Sequence, residues 1–148
     1  MNSPEYQTPV LDAAWYHGRA LAWSEGAPPR PEDVFRAPLY PMFLGALYSL
    51  GVEWPLGPRL VQFGLGLLNL FLIYSIGRKV FGLRTGLIAL ALAVLYYPFI
   101  YFEAETLVTT LFLTLSLAGT RIALGARGYS GWLASGLVLG LATITRPT

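Results

Sequence analysis

Cysteine is absent from all 148 residues, so no disulfide braces the chain, and cysteine usage says nothing about its redox compartment. Histidine occurs once, at His17, and without a second His or any Cys a His-based metal site has no support in these residues. A requirement for a divalent metal stays open on this reading. No phosphate-cradling glycine loop is present, which argues against a soluble fold that handles a nucleotide-activated donor. Charge is scarce as well: only 12% of residues are Asp, Glu, Lys or Arg, against roughly 25% in ordinary soluble domains. No basic face lies away from the apolar stretches, which argues against nucleic acid as a partner. No signal peptide is expected over the first residues. Met1–Gln7 is polar, has no basic n-region and runs into Pro9 rather than an apolar h-region.

What is abundant is apolar. Hydrophobic residues make up 55% of the chain, and four apolar stretches follow one another at roughly Pro58–Ile76, Gly86–Phe102, Thr106–Ala123 and Gly131–Thr145. A helix crossing a bilayer needs about 17–25 mostly apolar residues, so the first three suffice and the fourth is marginal. The expected fold class is all-α: a polytopic membrane protein of about four transmembrane helices.

The gaps between these stretches orient it. Arg78, Lys79 and Arg84 share one gap, Arg121 and Arg127 another, and neither gap holds an acid. Lys and Arg are retained on the cytoplasmic side of short loops. Residues 1–57 and the Tyr101–Thr106 connection are therefore expected outside, and residues 58–148 form the transmembrane region. All eight acids fall in those two outer segments; up to Trp54 six acids face three arginines, a net of −3. A long outer segment with no preceding export signal, and an end at Thr148 just where a span closes, read as an internal piece of a longer protein.

Within the outer segment, Thr8 and Pro9 suit a helix start, and Gly26 a stop, giving a helix from about Pro9 to Ser24. Asp12, Trp15, Tyr16, Arg19 and Trp23 share one side of it. Ala27–Asp33, with its prolines, must be a loop. Pro41 opens a second short helix ending near Gly51, amphipathic through Phe43, Leu44, Leu47 and Tyr48. It is expected along the outer interface, with Tyr40, Tyr48 and Trp54 at headgroup depth. Tyr96, Tyr97 and Tyr101 mark the outer end of the second span, and Trp132 the inner end of the fourth. Gly136 and Gly140 form a GxxxG pair suited to close helix packing.

Three groups could carry chemistry. Asp12 reads either as a first-turn carboxylate favoured by the helix dipole or as a general base desolvated by Trp15 and Tyr16. Glu103 and Glu105 follow an aromatic run near the hydrocarbon boundary, where ionisable groups usually mark a site. Two apart, they point in nearly opposite directions on a helix, so one at most faces a site, with Glu105 favoured. The plain alternative is that Glu105 only starts the third span. Arg146 breaks the charge rule at the outer end of the fourth span. It reads equally as a phosphate-binding fork or as a snorkelling side chain. Arg36 and Tyr16 complete the substrate-binding candidates, and Arg59 is a weaker arginine on the same side.

The strings LDAAWYHGRALAWSEG and FRAPLYPMFLGALYSLG, followed in order by IYSIGRKVFG, LYYPFIYFEAETL and GLATITRPT, are similar to the C-type polytopic membrane glycosyltransferases. Within that superfamily they resemble family thirty-nine, the protein mannosyltransferases and aminoarabinose lipid A transferases. The resemblance covers nearly the whole chain. It implies a bacterial or archaeal plasma-membrane enzyme that moves a sugar from a polyprenyl-phosphate carrier to a lipid, glycan or protein acceptor, with inversion. It further implies that Asp12 stands at the catalytic base, that Glu105 with Glu103 nearby stands at the second carboxylate, and that Arg146-Pro147 matches an outer Arg-Pro. Many members carry Asp-Glu where this chain has Asp12-Ala13, and the family's other spans and soluble C-terminal part lie outside these residues, so the 148 residues alone are expected to be inactive. The rival class is a secondary transporter fragment with the acids and Arg146 lining a path. Transporters place such groups near the midplane, whereas here they sit at span ends.

The cysteine-free background permits a direct topology experiment. Single cysteines at Thr85 and Ser130 are expected to resist an impermeant thiol reagent in intact cells, while one at Glu32 reacts. Labelling of the Ser130→Cys protein from outside would reverse the orientation.

Overall fold

In the computed structural model the described residues are 11–28, 30, 31, 33, 38–98, 101 and 105–146. They form helices α1 (Leu11–Ser24), α2 (Leu39–Ser49), α3 (Leu56–Phe81), α4 (Leu83–Leu95), α5 (Val108–Ala123) and α6 (Tyr129–Thr143), and no strand occurs among them. The fold is all-α. Helix α3, with 26 residues, is long and apolar enough to cross a membrane, yet only 28% of its most apolar window is buried. Leu60, Leu67 and Phe71 on α3, Ile88 and Leu92 on α4, and Leu133 and Leu137 on α6 are all exposed. Apolar surface on that scale is costly in water and natural in a bilayer.

The helices pack as three sequential pairs. The first is α1 on α2. Helix α1 stops where expected: the N–H of Gly26 donates to Trp23 O and that of Ala27 to Ala22 O. This is the paired closure that satisfies a helix's last carbonyls. Helix α2 closes in the same way through Gly51 and Val52. It begins at Leu39, two residues before the expected Pro41, which sits within the first turn where no intrahelical donor is needed. The pair does not merely lie on an interface. Ala20, Tyr40 and Leu44 are buried together with Leu111 of α5, and Tyr16, Leu47, Leu65 and Val108 pack around them.

The second pair, α3 and α4, is tighter than its sequence suggests. A loop is expected over Gly77–Thr85, but Gly82 alone interrupts the helical run, at φ +93. Only glycine takes that conformation without strain. Beside this turn the two helices pack in close contact. A methyl on Gly86 would lie 2.8 Å from Arg78 N and 2.9 Å from Tyr74 O. Arg78 and Lys79, expected in a loop, instead form the last turn of α3, where cations complement the helix dipole.

In the third pair, Ser135 Oγ of α6 donates to Gly119 O of α5 at 2.9 Å, and Leu139 covers Gly119. The expected Gly136–Gly140 contact is not made: nothing described lies within 4 Å of a methyl at either position. Helices α4 and α5, with 13 and 16 residues, are shorter than the apolar stretches expected there, whereas α6, with 15, matches the length of its stretch but starts two residues earlier. At 1.5 Å per residue α4 covers about 20 Å, so Tyr96 and Tyr97 lie beyond the helix, not on its last turn. Nor is the first span clean inside. Gln62 and Asn69 lie buried on the face of α3 that meets α5, beside Pro58, Gly66 and Leu72.

Gly86→Leu is expected to cost about 1–3 kcal/mol by forcing α3 and α4 apart. Gly140→Ala should stay within about 0.5 kcal/mol. Thermal unfolding in detergent micelles measures both, and equal effects would refute the hairpin contact.

Candidate active site

Four segments are joined at the first turn of α2. Tyr40 is fully buried there, although its sequence context places it at headgroup depth. Its ring lies edge-on to Tyr16 of α1 at 5.0 Å. Its hydroxyl accepts a hydrogen bond from Gln62 Nε2 at 2.8 Å, and the same nitrogen donates to Leu107 O at 3.0 Å. Leu107 is the residue before α5, two beyond Glu105. The neighbouring Leu39 N–H donates to Ile144 O at 3.4 Å, two residues before Arg146. One turn of α2 thus joins the α1 face bearing Tyr16 to the Glu105 turn and to the end of α6. Burial pushes the Tyr40 hydroxyl well above its ordinary range, with Tyr48 and Tyr16 adding to the effect, so it stays protonated.

The turn before α5 is unusual. Thr106 is buried and takes φ +48, a conformation rarely adopted by a β-branched residue. Helix α5 therefore begins at Val108 and not at Thr106, and Glu105 sits in the preceding turn, half-buried, its N–H donating to Tyr101 O. It is not the helix-starting carboxylate of the plainer sequence reading. Backbone strain of this kind concentrates at functional sites.

Asp12 lies in the first turn of α1, one turn before Tyr16 on the same side, and its side chain is exposed. The desolvation expected from Trp15 and Tyr16 is therefore not seen at Asp12; Trp15 turns its ring edge-on to Tyr16 at 5.3 Å instead. Arg146 is exposed just past α6. Glu103 and Arg36 lie outside the described residues, as do the expected helix start at Thr8-Pro9 and Glu32. Among the described residues no three His, Asp or Glu side chains converge as a metal site.

The sequence reading missed a polar framework that joins α1 to the proline loop and to α2. Arg19 and Asp33 form a buried, two-pronged ion pair, Nε to Oδ1 at 2.7 Å and Nη2 to Oδ2 at 2.5 Å. Arg19 Nη2 also donates to Pro28 O, and the Arg30 N–H donates to Asp33 Oδ2. Together these bonds staple the proline loop to α1. Burial pushes the Asp33 carboxyl up, but the Arg19 hydrogen bond, the Arg30 N–H and the two guanidinium charges outweigh it and hold the group below its ordinary value. His17 bonds Tyr48 Oη through Nδ1 at 2.8 Å and lies 4.4 Å from the Trp54 ring. Burial lowers the His17 value and raises that of Tyr48 to about 12, so both are neutral at pH 7. The available signals were a Gln and an Asn seven residues apart in an apolar stretch, two turns on one face, and an acid ending a proline loop.

Comparison with protein-family models gives a match to dolichyl-phosphate-mannose-protein mannosyltransferase over residues 35–148. Neither the curated proteins nor the solved structures contain a match.

Asp33→Asn leaves Arg19 buried without its counter-charge and is expected to cost about 3–5 kcal/mol. The sign of the pH dependence follows from the lowered Asp33 value. Its contribution is present above the unfolded carboxyl value of about 3.9 and is lost as pH falls through the folded one. The stability gap between wild type and Asp33→Asn should therefore close in acid, as measured by thermal unfolding across pH. A gap that stays constant down to the acid limit would contradict the pairing.

Proposed function

Because the chain belongs to the dolichyl-phosphate-mannose-protein mannosyltransferase family, and so to the membrane glycosyltransferases of mannosyltransferase type, we propose that it transfers a sugar from a polyprenyl-phosphate carrier to a hydroxyl acceptor at the outer membrane face. Residues 1–57 form the outer segment in this reading and residues 58–148 the membrane region. Asp12 takes the proton from the acceptor hydroxyl as its oxygen attacks the anomeric carbon. The bond from that carbon to the phosphate oxygen breaks on the opposite side, so configuration inverts and the lipid phosphate leaves with the electron pair. Arg146 holds the leaving phosphate through a charge-assisted pair, and Glu105, with Glu103, orients the acceptor. Tyr16 and Arg36 line the approach.

One observation supports the reading above the rest. The segments bearing Tyr16, Glu105 and Arg146 are far apart in sequence, yet the first meets Tyr40, the last meets Leu39, and the Glu105 segment reaches Tyr40 through Gln62. An exposed Asp12 suits a base that is desolvated only when acceptor and donor cover it. The transporter reading loses its footing with the family assignment.

General-base assistance contributes about 10²–10⁴-fold, so Asp12→Asn is expected to lose that much turnover. Retention of the lipid-linked donor should survive, because Asp12 acts on the acceptor proton. Sugar transfer in membranes expressing the protein measures the first, and co-purification of radiolabelled donor the second. Unchanged turnover in a folded, inserted Asp12→Asn protein would end this mechanism.

A further inference from the structure

The opposite end of the bundle holds a cavity that sugar transfer does not use. It lies between the last turns of α3 and α5, has a volume of about 310 Å³, and is lined by Phe71, Tyr74, Ser75, Arg78, Lys79 and Arg121. Three cations meet there without an acid. None of them has a carboxylate partner among the described residues, in contrast to Arg19, whose charge is matched by Asp33.

The cavity is also organised. Arg121 Nε donates to Ser75 Oγ at 2.7 Å, which fixes the guanidinium across the gap between the two helices. Arg78 Nη1 donates to the Tyr74 hydroxyl at 3.1 Å, one turn back along α3. Each arginine is steered by a neutral hydroxyl, so its charge and its other N–H groups stay available. A guanidinium held by one edge still presents paired donors suited to a phosphate oxygen.

The cavity is polar at one end only. Phe71 stands seven residues before Arg78, about 10 Å deeper along α3, and its ring is exposed. An occupant must therefore be anionic at the helix ends and apolar one to two turns further in. A free phosphate ion satisfies only the first condition. An anionic phospholipid satisfies both, its phosphodiester among Arg78, Lys79 and Arg121 and its acyl chain against Phe71.

We propose that this cavity binds the headgroup of an anionic phospholipid in the leaflet at the basic end of the bundle, and so clamps α3 to α5. The site is separate from the candidate active site, and neither proposal depends on the other.

Native mass spectrometry of the purified protein in a neutral detergent tests this directly, with dioleoyl phosphatidylglycerol as the probe. Dioleoyl phosphatidylcholine has the same tails and phosphodiester but no net charge. Retention of phosphatidylglycerol over phosphatidylcholine by about tenfold or more is expected. That comparison uses the wild-type protein, so it holds whatever the variants do. The double variant Arg78→Gln/Arg121→Gln should lose the preference, while Arg84→Gln/Arg127→Gln, which removes the same charge from the same end, should keep it. Equal retention of the two lipids would overturn the proposal. So would equal losses in the two double variants, which would mean a diffuse charge effect. Displacement of phosphatidylglycerol by excess inorganic phosphate would reassign the cavity to a soluble anion and overturn the lipid assignment.

Discussion

The hydrogen bond from Gln62 to Tyr40 is the interaction on which the rest of the arrangement depends. Gln62 is a polar side chain in a helix built for lipid, and burying its amide costs several kcal/mol unless its protons are used. They are used twice: on the Tyr40 hydroxyl and on the Leu107 carbonyl. One amide thereby locks α2 to α3 and α3 to the turn before α5. Because Tyr40 also carries the Tyr16 ring, and its neighbour Leu39 reaches Ile144, four separate segments share one anchor. Close packing of apolar surface alone would not choose this register. In lipid, where helices gain little from hiding apolar area, directional bonds between them decide how they sit.

The two ends of the molecule divide its chemistry. At one end lie Asp12, Glu105 and Arg146, on an aromatic framework tied to Tyr40. At the other lie only cations, on the last turns of α3 and α5 and in the short connections. That division sets the proposed transfer site at the acidic, aromatic end apart from the basic end, where the proposed lipid site lies. The two arginines are held differently: Arg19 is neutralised by the Asp33 carboxylate, whereas Arg121 is held by the Ser75 hydroxyl and keeps its charge.

The all-α class, the α1 helix with its stop at Gly26, the α2 helix and the segregation of charge were all legible in the sequence, because each rests on local composition and periodicity. Helix ends were less so. Gly82 alone makes the turn between α3 and α4, and nothing in the composition of Gly77–Thr85 distinguishes a turn from a loop. The GxxxG pair on α6 promised a close contact, but the close approaches are made at Gly86 and Gly119, since small residues permit close approach without choosing a partner. At the candidate site, Tyr16 and Glu105 could be named from sequence, but Tyr40, Gln62 and the Arg19–Asp33 pair could not. Their importance comes from partners 14 to 45 residues away. A tyrosine near a span reads as an interfacial ring until the amide that buries it is known.

A double-mutant cycle on Tyr40→Phe and Gln62→Leu, read by reversible unfolding in detergent micelles, tests the central claim most directly. Each single change should cost about 1–3 kcal/mol by leaving a buried polar group unsatisfied. The double variant should cost less than their sum, with a coupling of at least about 0.5 kcal/mol, as for residues in direct contact. Strict additivity would mean that the two side chains do not meet and that the first turn of α2 does not hold the candidate site together.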